Sequence, residues 1–388
     1  MMNNKLKDWQ KKTLGDISII TMGQSPSSAS YNEAGIGSYL IQGNADIKNR
    51  KSSPRQWTSE PTKFCEIGDT LMTVRAPVGA IAKSKHKACI GRGVCSIKPN
   101  NSDNEFLYQF LLSYESKWKS LEQGSTFTAV NGTDIRGVKL LLPPISEQQK
   151  IADILSTVDA KIDLIDQQIT ETQELKKGLM QQLLTKGIGH TEFKESPLGE
   201  IPESWEVVKF NKVCDNSSIK FNKPFGKCIE LEHIEQQTSR LLGYANIEDK
   251  SSVKIAFSIG DVLFCKLRPY LRKYWKCDFE GGCTSELMVL SPKSNLTTDY
   301  LFYTIQRNSF IENSVSKSYG TKMPRTSWKI LSEFEMGLPS VEEQTKITKI
   351  LSSIDNKLDV LTEKKTTYQE LKQGLMQQLL TGKIRTST

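Results

Sequence analysis

Two stretches of the chain carry the same long rhythm of apolar positions. In the first, Ile151, Leu155, Val158, Ile162, Ile165, Ile169 and Thr172 follow alternating steps of four and three, and Leu179 and Leu183 stay in register. In the second, Ile347, Leu351, Ile354, Leu358 and Leu361 do the same, continued by Lys365, Tyr368, Leu375 and Leu379. Such steps keep side chains on one narrow stripe of an α-helix, and a stripe this narrow wants a single partner helix. Pro143, Pro144 and Pro339 precede the starts, Ser146 to Gln149 and Ser340 to Glu343 offer capping boxes, and Thr185-Lys-Gly187 and Thr381-Gly382 offer stops. Roughly 38 residues at about 1.5 Å each predict helices about 57 Å long. Gly178 and Gly374 hold the same place in both, although Gly costs about 1 kcal/mol relative to Ala inside a helix. Close approach of another backbone and a tolerated glycine near a helix end explain them equally well.

The rhythm recurs because the sequence does. Pro143–Ile188 aligns without a gap to Pro339–Ile384, at an offset of 196 residues and with about half the positions identical. Two copies do not make a solenoid, which needs more and shorter units, so the repeat marks a duplicated half-molecule. Each seam is then the natural partner of the other, which predicts an antiparallel coiled coil with a pseudo-twofold axis.

Fainter echoes extend the duplication into the regions between. Ile67-Gly-Asp leading to Arg75-Ala-Pro77 resembles Ile259-Gly-Asp leading to Arg268-Pro269, Trp9 matches Trp205, and Gly124-Ser-Thr-Phe127 matches Gly320-Thr-Lys-Met323. Strand-like runs at Ile67–Val74, Val94–Lys98, Val262–Leu267 and Leu287–Leu290, with short helices near Glu105–Tyr114 and Asp299–Arg307, predict mixed modules. The expected fold class is α+β: two globular domains at 1–142 and 188–338, helices at 143–187 and 339–384, and a tail at 385–388.

A length of 388 residues suits two domains of about 150 residues plus connecting structure, and 37% hydrophobic with 25% charged residues is a globular balance. No apolar run reaches about 18 residues and the first residues lack the apolar stretch of a secretory signal, which argues against membrane insertion or export and for the cytoplasm. The eight cysteines form no CxxC pair and read as reduced thiols. His86, Cys89 and Cys95 are the sharpest metal alternative, but they lack the tight second pair of a structural zinc site, so no metal is expected.

The net charge of +8 matters less than its placement. Lysines and arginines crowd the segment from Lys48 to Lys98, and again Lys266, Arg268, Arg272, Lys273 and Lys276, interleaved with Tyr270, Tyr274 and Trp275. Lys317, Lys322, Arg325 and Lys329 then run beside Tyr319 and Trp328. A single charge run is usually a solvated face; two in duplicated positions point to phosphate neutralisation. There is no GxxxxGK[ST], no GxGxxG after a strand, no HExxH and no GxSxG, and three histidines leave little for acid–base work. Glu192-Phe-Lys194 fits a nuclease pattern only by force. No catalytic constellation emerges, so the chain is not expected to be an enzyme by itself.

At this point the residues resemble a known family. The run Leu142-Pro143-Pro144 with Glu147-Gln148 and Ile151, its counterpart Leu338-Pro339 with Glu343-Gln344 and Ile347, the LKxGLMQQLLT blocks and the terminal LLTGKIR are similar to those of specificity (S) subunits of type I restriction-modification enzymes. The resemblance covers essentially the whole chain. It implies that each variable region is a target recognition domain reading one half of a bipartite double-stranded DNA site. It further implies that the helices are spacers that set the gap and bind two modification (M) subunits. Those would carry S-adenosylmethionine and adenine-N6 methylation, and restriction (R) subunits would bring ATP, Mg and cleavage. The absence of a DPPY or NPPF motif agrees with a subunit that recognises DNA without modifying it.

On that reading the DNA face is expected to carry Arg50, Arg75, Lys85, Arg92, Ser125, Thr126 and Asn131 in the first domain. In the second it carries Lys266, Arg268, Tyr270, Lys273, Tyr319, Thr321, Lys322 and Arg325. Arg75 and Arg268 could instead be structural, since each precedes a proline. The runner-up is a coiled-coil adaptor whose twin basic domains bind RNA or an acidic protein.

Overall fold

The computed structural model describes residues 7–124, 129–223, 225–247, 254–320 and 322–386. Its contacts divide into two units, residues 1–167 with 363–388 (the first half) and residues 168–362 (the second half). The first long helix, Ile145–Lys186, and the second, Val341–Leu379, each contribute one end to either half.

In the first half a six-stranded sheet runs in the order Ser18–Met22, Val94–Pro99, Thr70–Thr73, Ile81–Lys83, Lys51–Ser52, Ile47–Lys48. A five-stranded sheet contains Ser38–Ile41 paired in parallel with Ala88–Ile90, and Gln10–Thr13 pairs antiparallel with Lys139–Leu142. The helix Asn104–Gly124 covers the larger sheet: Phe106, Leu107, Leu111 and Trp118 share a core with Ile17, Met72, Ile81 and Ile97. That core is continuous with Ile151 and Leu155 of the first long helix and Leu379 and Leu380 at the end of the second. Gly79 sits where a side chain could not: its φ is +85° and an added Cβ would fall 2.4 Å from Trp118 Cβ.

The second half repeats the plan. Cys214–Ser217, Leu287–Pro292, Val262–Cys265 and Tyr274–Lys276 form one sheet, and Ala245–Ile247, Gly226–Ile229, Gly281–Cys283 and Ile255–Phe257 another. Glu206–Lys209 pairs with Glu335–Leu338 as Gln10–Thr13 does with Lys139–Leu142. Tyr300, Leu301, Phe310 and Ile311 cover the sheet residues Val262, Phe264, Met288 and Leu290, and the same core takes in Leu183, Leu184, Ile347 and Leu351. Two helices, Thr298–Thr304 and Asn308–Ser316, do here what one long helix does in the first half.

Within each half the helix ends run antiparallel, and ion pairs fix their register. Lys372 meets Asp159 and Lys365 meets Asp166 in the first half; Lys176 meets Asp355 in the second, each at 2.6 Å. The starts differ from expectation in one detail. The first helix begins at Ile145, with the Pro144 carbonyl accepting from the amides of Glu147 and Gln148 at 2.9 and 3.0 Å, so Ser146 lies inside the first turn rather than at the cap. Its Glu147 is drawn away to Trp9 and Arg385. In the second helix Ser340 does cap, accepting from the Glu343 amide at 3.2 Å. A Cβ at Gly178 or Gly374 would meet nothing within 4 Å, so the chain itself makes no close approach there.

Candidate nucleic-acid interface

Much of the positive charge in the first half is neutralised internally. Arg50 grips both oxygens of Glu115, at 2.5 and 3.0 Å, and that hydrogen bond holds its guanidinium above the ordinary pKa. Arg55 pairs with Asp46 at 3.0 Å, Lys83 with Glu105, and Lys87 with Glu66 at 3.0 Å. Arg75 and Arg92 differ. Both are exposed, both lack an ion-pair partner among the described residues, and both line one cavity of about 220 Å³ together with Ser25, Gln42, Asn44 and Gly93.

Backbone pairing builds this cavity. Ser38–Ile41 delivers Gln42 and Asn44 at its end, and the parallel neighbour Ala88–Ile90 delivers Arg92. The two loops touch at Gly93, where an added Cβ would lie 2.2 Å from the Gln42 carbonyl oxygen. Arg75 comes from the end of Thr70–Thr73 and bridges to Ala129. Lys85 is exposed, and Asn131 caps the short helix Gly132–Arg136, accepting from the amides of Thr133 and Asp134 at 2.8 and 2.9 Å. Ser125 and Thr126 lie outside the described residues, as does Thr321 in the second half.

In the second half Arg325 lies against the carboxylate of Glu286, at 3.2 and 3.4 Å, and bridges to both Leu267 and Tyr319. Lys273 donates to the Leu231 carbonyl at 2.6 Å. Arg268 adopts a left-handed φ of +51°, with its Nε buried and unbonded. Tyr270 and Tyr319 are exposed, Lys322 is exposed, and Lys266 is half-buried.

Hydrogen-bond register makes the two halves comparable residue by residue. The bonds from Gly91 N to Ile41 O, Val74 N to Gly93 O and Val130 N to Val74 O measure 2.8, 2.9 and 3.0 Å. They recur as Thr284 N to Ile229 O, Lys266 N to Glu286 O and Thr326 N to Lys266 O, at 3.1, 2.9 and 3.1 Å. Arg75 therefore corresponds to Leu267, and Arg268 falls one residue later, opposite Ala76. The prolines match; the arginines before them do not.

Gln42 and Asn44 are absent from the sequence-based candidates. The available signal was glycine punctuation, Gln42-Gly43-Asn44 and Gly91-Arg92-Gly93, which marks backbones that approach closely. Along the helices, Ile151, Leu155, Val158, Ile165, Ile347, Leu351 and Leu361 are buried, and Ile162, Ile169, Ile354 and Leu358 are half-buried. Among the described residues no group of His, Cys, Asp and Glu could hold a metal, and no helix is long and apolar enough to cross a membrane.

A duplicated α+β scaffold, each copy braced by paired helix ends and the first opening a cavity lined by two arginines that lack an ion-pair partner among the described residues, describes a recognition protein built from two related modules. Residues 6–174 and 272–373 match the family described as the type I restriction modification DNA specificity domain. The chain is 30% identical over 308 residues to the MjaVIII specificity subunit of Methanocaldococcus jannaschii, covering 73% of this chain and 71% of that protein. It is 23% identical over 406 residues to the EcoDI specificity subunit of Escherichia coli, covering 97% and 88%. The solved S subunit of a type I restriction-modification system from M. genitalium shares the fold, with a TM-score of 0.60 at 15% identity over 98% of both chains. The chain belongs to the type I restriction-modification specificity subunits, which recognise the DNA target.

Proposed function

We propose that the chain reads a bipartite DNA site, one half-site for each target recognition domain (1–142 and 188–338). The spacer helices (143–187 and 339–384) set the gap and bind two modification (M) subunits. S-adenosylmethionine and adenine-N6 chemistry belong to those subunits; ATP and Mg belong to restriction (R) subunits joining the same assembly in the cytoplasm. This chain supplies sequence choice and no catalytic group.

The observation that carries this reading is the recurrence of key contacts at an offset of 196 residues. Trp9 and Glu147 become Trp205 and Glu343, and Asp159 with Lys372 becomes Asp355 with Lys176. Exposed apolar positions recur too: Ile154, Leu164 and Leu175 on the first helix, and Ile350, Val360 and Leu371 on the second. One apolar pattern presented twice suits two copies of one partner. Two modules of one scaffold, each entering a major groove, suit an interrupted site.

The test is a map of N6-methyladenine across the host genome by single-molecule sequencing, with and without the gene. The expected result is a bipartite methylated motif that disappears on deletion and returns on complementation. A genome whose methylation ignores the gene would overturn the proposal.

A further inference from the structure

We propose that the cavity between Gln42, Asn44, Arg75 and Arg92 reads the major-groove edge of a guanine in the half-site met by the first half of the chain. This rests on the reading of the protein as a DNA-recognition subunit and names the residues that confer its choice there.

The first argument is chemical. Arg50 and Arg55 have carboxylate partners; Arg75 and Arg92, which share one small cavity, have none among the described residues. Two guanidiniums lining one cavity, with no ion-pair partner among the described residues, present planar, fork-shaped donors to whatever enters. Guanine offers two acceptors, N7 and O6, side by side in the major groove, the commonest partner of such a fork. Adenine would turn its N6 donor toward the same donors. The Gln42 and Asn44 amides supply a donor and an acceptor each beside that fork, suited to the neighbouring base pair.

The second argument comes from the duplication. The scaffold bonds around the cavity are kept in the second half, yet the wall residues change: Gln42 corresponds to Glu230, Arg75 to Leu267, Arg92 to Ser285 and Gly93 to Glu286. The two exposed guanidiniums have given way to a leucine and a serine, beside two carboxylates that are themselves held, Glu230 by Lys254 at 3.0 Å and Glu286 by Arg325 at 3.2 Å. Both halves would meet the same phosphate backbone, so a phosphate clamp gives no reason for the change. Bases differ between half-sites, and residues that read them must differ accordingly.

The experiment places the full chain, co-expressed with its modification subunits, in a host deleted for the gene, as wild type, Arg92→Ser, Arg75→Leu and Arg92→Lys. The methylated motif is read by single-molecule sequencing. Wild type restores the motif; if it restores none, the functional reading itself fails. For the variants, one guanine position of one half-site is expected to relax, with discrimination falling by about ten- to hundredfold and the other half-site untouched. Arg92→Lys keeps the charge and fills the space but loses the planar fork, so it should relax the same position. An unchanged motif overturns the proposal. So does uniform weakening on all sequences with a shallower salt dependence, the behaviour of a phosphate contact. Where a variant methylates nothing, the affinity ratio of the assembled complex for cognate and guanine-substituted duplexes decides between the same two outcomes: a reduced ratio supports the guanine contact and an unchanged ratio overturns it.

Discussion

Lys372 donates to both carboxylate oxygens of Asp159, at 2.6 and 2.8 Å. The same carboxylate accepts from Gln109 Nε2 at 2.7 Å, so one acid ties the two helix ends and the covering helix of the first half together. In the second half Asp355 plays this part, held by Lys176 at 2.6 Å and by the Tyr303 hydroxyl at 2.7 Å. A seam of aliphatic side chains tolerates sliding; a charge that must find its partner does not. Lys372→Ala should therefore destabilise the first half by about 1–2 kcal/mol. Combining Asp159→Lys with Lys372→Asp should recover most of what either reversal loses. Thermal unfolding of the four proteins in a double-mutant cycle measures this, and strictly additive losses would show that the pair does not set register.

Glu147 is nearly buried, which alone would raise its carboxyl pKa. Two bonds from Arg385, at 2.8 and 2.9 Å, and one from the Trp9 indole at 3.0 Å outweigh burial and hold it below the ordinary value. A carboxyl depressed on folding contributes stability that is complete above its unfolded pKa and lost as pH falls through its folded one. Arg385→Ala leaves a buried carboxylate without its counter-charge and should cost about 3 kcal/mol near neutral pH. The gap between variant and wild type should close as pH falls through and below the ordinary carboxyl value of 4.5. Denaturant titrations at pH 7 and pH 3.5 check both statements, and an equal gap at both would refute the assignment. In the second half Glu343 bonds Trp205 at 2.9 Å, His190 at 2.8 Å and the Ile188 amide at 3.0 Å, so Arg385→Ala should leave that half unchanged.

The helices and their pairing are legible in the sequence because a 3.5-residue period needs no tertiary context and appears twice; that period carries no direction, which the ion pairs of Lys372 with Asp159 and Lys176 with Asp355 supply. Ser146 shows the limit: it reads as a cap, yet the helix starts two residues earlier, right after Pro144, and Glu147 is claimed by Trp9, 138 residues away in sequence. Charge is harder still. Arg50 looks as open as Arg92, but its partner Glu115 lies 65 residues on, brought near only when Asn104–Gly124 covers the sheet. Gln42 and Asn44 stand in no basic run, and only the parallel pairing of Ser38–Ile41 with Ala88–Ile90 carries them to Arg92.

The cysteines make a separate prediction. All eight are free and buried. Burial pushes the thiols of Cys95 and Cys283 up to about 12 and that of Cys265 up to about 11. A protonated, buried thiol is a poor nucleophile. Native protein at pH 8 should react with a thiol reagent at well under one cysteine per chain over minutes, against eight after unfolding. Rapid labelling of the native chain would mean that one of these cores opens.

Exposed apolar side chains recur at equivalent positions on the two long helices. Leu164 is 45% exposed and its repeat equivalent Val360 is 62% exposed, although Ile165 and Leu361, one residue on, are buried. Paired helix ends need only one stripe, and these largely exposed side chains lie beside it rather than in it, open to a partner. Leu164→Asp and Val360→Asp should each change folding stability by no more than about 0.5 kcal/mol, as surface substitutions do. If the equivalent positions receive two copies of one modification subunit, each single variant should lose one copy and the double variant both. Mass measurement of the reconstituted assembly by light scattering counts the copies directly. Full occupancy by the double variant would move the docking surface elsewhere on the chain, while loss of both copies from a single variant would mean that the two sites are not independent.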